Sequence, residues 1–363
     1  MDYLFIYKYT HIIKFFILIL SIILILSIVL LFFICFFSKL FFEFRSRKIS
    51  VFQIALLKNL EDPNIALHNP QNNLQIMAIG DLVLQLYKSD IERLNKLKPY
   101  IYMWKIDTYY KKMLLSKSWL KVALSCDILG NLEIDSLRLD FYQILKNNQN
   151  KYVIYNACAA LSKIATTKED FLIIMQCLSK KLFSSKYNVN IFLNMIKSFL
   201  RNNNNIIVTL FDEFIKDKEK PLAIKKDLIE SMGISQYDDF LNILEKNIII
   251  YAKESDMKIA LIRAMGKANM LRACKFIIDA FSDHDWRVRA TAAKYAHICQ
   301  NYKNILSKLE NLLHDENYNV RFNAASTLVF FEENGLKILE NNLTSSDRFS
   351  RDISKYFLEK ITL

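Results

Sequence analysis

Residues 224–233 read IKKDLIESMG, and residues 257–266 read MKIALIRAMG, the same pattern 33 positions later. Both place Lys second, Leu-Ile fifth and sixth, and Met-Gly ninth and tenth. A second pair, FSDHDWRVRATAAKYAHI (281–298) and LHDENYNVRFNAASTLVFF (313–331), matches at an offset of 32. With Val288 and Val320 as anchors, apolar or small residues recur four, five and eight places on. The same frame fits Val153, Ile191, Ile224 and Met257; weaker matches begin near Leu74 and Leu120, and a partial one near Phe349. Apolar residues at these intervals share one face of a helix. A second apolar stretch separates each anchored helix from the next, as in KFIIDAF (275–281) and ILSKLENLL (305–313). A two-helix unit is too small to bury its own faces, so the units must stack.

The composition agrees. Five Gly and four Pro in 363 residues leave little material for turn-rich β folds or Gly-rich nucleotide loops, while 52% apolar residues supply an ample core. The six Cys (35, 126, 158, 177, 274, 299) show no CxxC and no paired spacing. Reduced, mostly buried thiols are expected, with no disulfide framework and no thiolate metal site.

The repeat resembles the HEAT family. In that family an Asp closes the first helix of a pair, and a Val-Arg opens the second, ahead of two small residues. Asp283, Val288 and Arg289 carry the motif in one unit, and Asp315, Val320 and Arg321 in the next. Glu219 and Lys225 keep the spacing with other residue types; at Lys258 the acidic partner is missing, because position 252 is Ala. The resemblance is specific over 281–331, fair over 150–280 and weak over 50–150, and armadillo-like pairing also fits. It implies a right-handed α-α superhelix of about seven to eight helix pairs, with Asp–Arg pairing within and between units.

A membrane anchor precedes the repeats. Residues 15–38, FFILILSIILILSIVLLFFICFFS, hold no charge over 24 positions. As a helix they reach about 36 Å, enough for a hydrocarbon core of about 30 Å. A cleaved signal would be shorter and end in small residues, whereas KLFFEFRSRK follows here. Lys8 and Lys14 lie upstream, and Lys39, Arg45, Arg47 and Lys48 downstream, so the positive-inside rule puts the C-terminal side in the cytoplasm and the N-terminus outside. The expected organisation is a tail (1–14), a transmembrane helix (15–38), a basic juxtamembrane segment (39–60), divergent helical repeats (61–150), and HEAT-like repeats with a C-terminal cap (151–363).

Charge is uneven. The net +12 comes almost wholly from residues 39–208, with 24 Lys/Arg against 13 Asp/Glu, while residues 209–363 hold 23 of each. Its sharpest concentration is KLKPYIYMWKIDTYYKKMLLSKSWLK (96–121). There Lys96, Lys98, Lys105, Lys111, Lys112 and Lys117 interleave with Tyr100, Tyr102, Trp104, Tyr109, Tyr110 and Trp119. Such a stretch suits a protein partner, an anionic lipid surface or, least of the three, nucleic acid. A helix pair with core aromatics and solvated lysines accounts for it equally well. Lys225, Lys258, Arg289 and Arg321 form a basic ladder, which is expected to be structural and satisfied by acids such as Asp283 and Asp315.

No catalytic residue is assigned. The chain lacks a nucleophile elbow, phosphate loop, kinase set and dinucleotide fingerprint. The five His (11, 68, 284, 297, 314) complete no metal shell, and Asp283-His284-Asp285 reads as a polar turn at a helix start. NNNN (202–205) reads as an inter-helix loop, and the sequon Asn342-Leu-Thr344 matters only in a glycosylating compartment. No cofactor or small-molecule substrate is inferred. The expectation is a non-catalytic, single-pass scaffold whose cytoplasmic solenoid binds a membrane-associated protein. By resemblance of layout, the partner would be a membrane enzyme such as a polysaccharide-synthesising glycosyltransferase. Two alternatives stay open: HEAT-like DNA glycosylases, which need a basic groove, and HEAT-like lyases acting on bilin pigments. The anchor counts against both.

Overall fold

The structure is a computed structural model and describes residues 2–62, 67–180 and 185–362. Among these it is all-helical, with nineteen α-helices. They divide into two units, residues 1–110 and 111–363.

In the first unit α1 (Asp2–Glu61) is one continuous helix, so the expected tail, apolar run and juxtamembrane segment share a single rod. It is followed by α2 (Asn73–Ser89) and α3 (Ile91–Met103), and α4 (Ile106–Met113) runs across the unit boundary. The two ends of α1 are treated very differently. Between Leu18 and Phe44 its described large apolar side chains, among them Leu20, Leu26, Phe32 and Phe37, are 44–66% exposed. Further along, Leu56 is buried, Gln53 donates to the Ala78 carbonyl at 2.8 Å, and the Arg45 guanidinium lies 3.1 Å from the Met77 sulfur. The basic end is therefore fastened to α2. Among the described residues α1 alone is long and apolar enough to cross a membrane.

The second unit is a stack of helix pairs. Its members are α5 (Trp119–Leu132), α6 (Arg138–Asn147), α7 (Lys151–Ile164), α8 (Lys168–Lys180), α9 (Ser185–Arg201) and α10 (Ile206–Lys216). They continue with α11 (Leu222–Ser235), α12 (Asp238–Ile250), α13 (Ser255–Lys267), α14 (Cys274–Asp279), α15 (Trp286–Tyr295), α16 (Ile305–Leu312), α17 (Tyr318–Val329), α18 (Glu332–Asn341) and α19 (Arg348–Thr362). The odd-numbered helices from α5 to α19 pack against one another along their lengths as a tight row. The even-numbered helices form an open row, meeting only at a few points.

The repeat frame locates the core. The six anchors Val153, Ile191, Ile224, Met257, Val288 and Val320 are at most 1% exposed, and the residues four, five and eight places beyond each are at most 2% exposed. The weaker matches fare differently. Leu120 is exposed, and α5 is buried through Val122 and Ala123 instead; Phe349 is exposed while its neighbour Ser350 is fully buried. The repeated Met-Gly has a packing cause. A Cβ on Gly233 would stand 2.3 Å from the Ala264 carbonyl oxygen, and one on Gly266 2.2 Å from Tyr295 Cδ1. Glycine is present where neighbouring tight-row helices touch, as at Gly130, where a Cβ would meet Ala160 Cα at 2.6 Å.

Turns are made without glycine. No glycine has positive φ among the described residues; Asn203, Asn269 and Asn304 take the left-handed conformation instead, with φ of 54°, 53° and 61°. Helix starts use the same side chain: Asn150 and Asn317 accept backbone N–H groups from the first turns of α7 and α17.

Candidate partner-binding surfaces

The basic aromatic stretch straddles the two units, and its halves differ. In the first unit Trp104 and Tyr110 are buried, so neither is available to a partner. Tyr100 packs on Trp104 with ring centroids 5.5 Å apart, and Tyr109 meets Tyr110 edge-on at 5.3 Å. The Tyr110 hydroxyl donates to the Ile76 carbonyl at 3.4 Å; burial, with the charge of Asp81, pushes its pKa up. Tyr102 is 43% exposed, Lys96 pairs with Glu92 at 3.1 Å, Lys98 is half-buried, and Lys105 turns the chain with a φ of 56°. In the second unit Lys111 reaches Asp140 at 3.4 Å, while Lys112 and Lys117 are exposed. Trp119 is 48% exposed and stacks on Tyr152 at 5.6 Å. Of the six aromatics only Tyr102 and Trp119 are exposed, each by a little under half.

Two of the four ladder cations, Lys258 and Arg289, pair with acids of the following unit. Lys258 pairs with Asp283, so the acid missing at position 252 is supplied one unit later. Arg289 grips Asp315 with Nε and Nη2 at 2.7 and 2.9 Å, and its other nitrogen donates to the Asp283 carbonyl at 2.9 Å. Within a unit, then, the arginine binds the aspartate's backbone rather than its carboxylate. Arg321 repeats the backbone contact at Asp315, 2.7 Å, but no acid follows it; its guanidinium lies over the Phe349 ring at 5.1 Å. Lys225 is buried, and its charge helps hold the Asp217 carboxyl below its ordinary pKa, behind hydrogen bonds from Glu219 and Lys220. Sequence comparison missed one rung: Arg351 donates to the Ser345 carbonyl at 2.6 Å in the same geometry. The register of Ser350-Arg351 with Val320-Arg321 was its available signal.

A second polar knot was also missed. Asp170, fully buried at the start of α8, accepts from Arg138, from the Tyr142 hydroxyl at 2.6 Å, and from the Thr166 and Thr167 amides at 2.8 and 2.9 Å. Burial opposes ionisation, but these hydrogen bonds prevail and hold the carboxyl below its usual pKa.

The cysteines require a correction. Cys274 and Cys299 are joined by a disulfide, Cα–Cα 5.5 Å, between the start of α14 and the short turn after α15. The 25-residue spacing gives no motif; helix packing brings the two together. Cys126 and Cys158 are buried free thiols, as expected. Burial pushes Cys126 up to about 12, and a hydrogen bond with Cys177, together with burial, raises Cys158. No group of three metal-ligating side chains occurs among the described residues.

A HEAT-repeat family model matches residues 305–333, which comprise α16, the turn, α17 and the first residues of α18. The fold is that of a HEAT-like solenoid. A chain of the Kap95p–RanGDP complex superposes with a TM-score of 0.50 at 11% identity, over 85% of this chain and 46% of that one. Kap121p aligns at a TM-score of 0.35 and 12% identity, over 86% of this chain and 46% of its own. The CpcE–CpcF phycocyanin lyase of Nostoc aligns at 0.30 and 12%, over 70% and 94%. This chain spans about half the length of the two Kap chains it matches. No curated protein matches its sequence.

Proposed function

We propose that this chain is a membrane-anchored, non-catalytic scaffold, held by α1 and binding a protein partner through its solenoid. The observation that carries the proposal is the contrast along α1: the described apolar side chains between Leu18 and Phe44 lie open, while Arg45, Gln53 and Leu56 fasten the helix to α2. A rod of exposed Leu, Ile and Phe needs an apolar solvent, and a bilayer is one of matching thickness. Stacked pairs, each covered by its neighbours, leave long rows of side chains free for recognition. Kap95p, similar in fold, is seen bound to the protein RanGDP. Tethering confines the solenoid to partners at the same membrane, which favours a membrane enzyme, a polysaccharide-synthesising glycosyltransferase being the example of such a layout.

The proposed topology has the N-terminus outside and the solenoid cytoplasmic, on the strength of the downstream basic cluster. The Cys274–Cys299 disulfide favours the opposite orientation, because such bonds persist mainly in oxidising compartments. Alkaline carbonate extraction of membranes from cells making the full chain, followed by protease treatment of sealed vesicles of known orientation, tests both points. Release by carbonate would refute the anchor; digestion only from the non-cytoplasmic side would reverse the topology.

A further inference from the structure

The tight row carries a cleft of about 660 Å³ across α13, α15 and α17 whose lining holds four cations and no carboxylate. On α13, Arg263 and Lys267 stand one turn apart; on α15, Arg287 and Lys294 flank the same opening. The cations are not equivalent. Lys267 is paired with Glu230, and Arg287 is held by Asp285 at 2.6 Å and Asp256 at 3.4 Å. Arg263 and Lys294 are exposed, and no carboxylate pairs with either among the described residues. Trp286 adds an indole that is 40% exposed.

The segregation of charge has a local cause. The C-terminal half is neutral overall, yet ladder acids such as Asp283 and Asp315 are spent on ladder cations, leaving the cleft in excess of positive charge. Other large clefts mix the signs: Glu169 with Lys146 and Lys180 in one, Arg45 with Asp81 in another.

We propose that this cleft is the docking site for an acidic, extended segment of the protein partner. The inference rests on the scaffold reading above and deepens it. Helices packed in one row lie about 8–10 Å apart, the span of three residues in an extended strand. Carboxylates three residues apart therefore reach Arg263 on one helix and Lys294 on the next, and an aromatic or aliphatic residue beside them meets Trp286.

The test uses the full chain in phosphatidylcholine nanodiscs. The probe is a fluorescein-labelled 12-residue peptide with Asp or Glu at every third position and Leu and Tyr between, compared with its Lys counterpart by anisotropy. The acidic peptide is expected to bind with an affinity that falls as salt is raised, and the Lys peptide to bind at least tenfold more weakly. R263E/K294E should weaken the acidic peptide at least tenfold, and R263Q/K294Q should fall between it and the unaltered chain with the helical circular dichroism retained. Equal binding by the unaltered and reversed chains would overturn the proposal, as would no binding to the unaltered chain. Displacement of the peptide by phosphatidylserine in the nanodisc would assign the cleft to lipid and overturn it too. A photo-crosslinking residue at Thr291, inside the cleft, and another at Leu172, on the open row, separate this inference from the scaffold reading in native membranes. Adducts from Leu172 alone sink the cleft but leave the scaffold; adducts from neither sink both.

Discussion

Gly233→Ala is the most informative single change, because two established effects oppose each other there. Replacing a helical glycine by alanine is ordinarily stabilising, by at most about 1 kcal/mol here because Gly233 lies in the last turn of α11. At Gly233 the added Cβ would lie 2.3 Å from the Ala264 carbonyl oxygen and 2.8 Å from its carbonyl carbon and Cα. These are backbone atoms that cannot rotate away. Relief requires α11 and α13 to separate by about 1 Å, and a gap of that size forfeits a quarter to a half of each dispersion contact across the seam. Overpacking of this kind costs about 1–3 kcal/mol, and a backbone clash belongs at the upper end, so the net expectation after the propensity gain is a loss of about 2 kcal/mol. For a unit of this size that lowers the melting temperature by about 4–8 °C. Differential scanning calorimetry of the full chain in one detergent measures it. A melting temperature equal to or above that of the unaltered chain would refute the claim that the repeated Met-Gly marks a helix–helix contact.

The companion change Gly130→Ala should be partly rescued by Ala160→Gly, since half of its clash is with the Ala160 side chain; equal stabilities of the single and double variants would argue against it. Asp315→Ala leaves Arg289, 11% exposed, without its bidentate partner and should cost about 2–3 kcal/mol in denaturant unfolding, whereas Arg289→Met with Asp315→Leu should recover most of that. Asp170, with its pKa below the unfolded value of about 4, contributes stability that is complete above that pH and is lost as pH falls through the folded value. Asp170→Asn should flatten the acid limb of a stability-versus-pH curve, and an unchanged limb would show that the knot carries no such linkage. Alkylation of unfolded, non-reduced protein from intact membranes should modify four of the six cysteines by mass if the Cys274–Cys299 bond forms in the cell, and six if it does not.

The stack was legible in the sequence because its signal is periodic and its cause local. Six anchors and eighteen followers obeyed one spacing, and all are buried. Legibility failed where the stack ends. At Leu120 and Phe349 the frame slips by a residue or more: α5 is buried through Val122 and Ala123, and α19 through Ser350. The basic aromatic stretch was harder for another reason: composition shows that lysines and aromatics alternate, but only helix phase shows that Trp104 and Tyr110 point inward while Tyr102 and Trp119 do not. The disulfide and the Asp170 knot join residues 25 to 32 apart with no motif between them; the folding of one pair on itself closes the first, and the packing of one pair on the next closes the second.

The sequon at Asn342 shows how packing can remove a sequence signal from the argument altogether. Its side-chain amide is buried and donates to the Ser350 carbonyl at 3.0 Å and to the Ser350 and Ser354 hydroxyls at 2.5 and 2.8 Å, tying the end of α18 to α19. A glycan there would require those three bonds to break and α19 to lift. An unglycosylated Asn342 therefore says nothing about which side of a membrane the folded solenoid occupies. The proposed orientation rests on two opposed features: the basic cluster at 39–48, which would be read during insertion, and the cysteine pair at 274 and 299, which would be read afterwards by the redox state of the compartment. Because the first acts before folding and the second only once α14 and α15 have packed, a reduced pair in native membranes would leave the basic cluster unopposed.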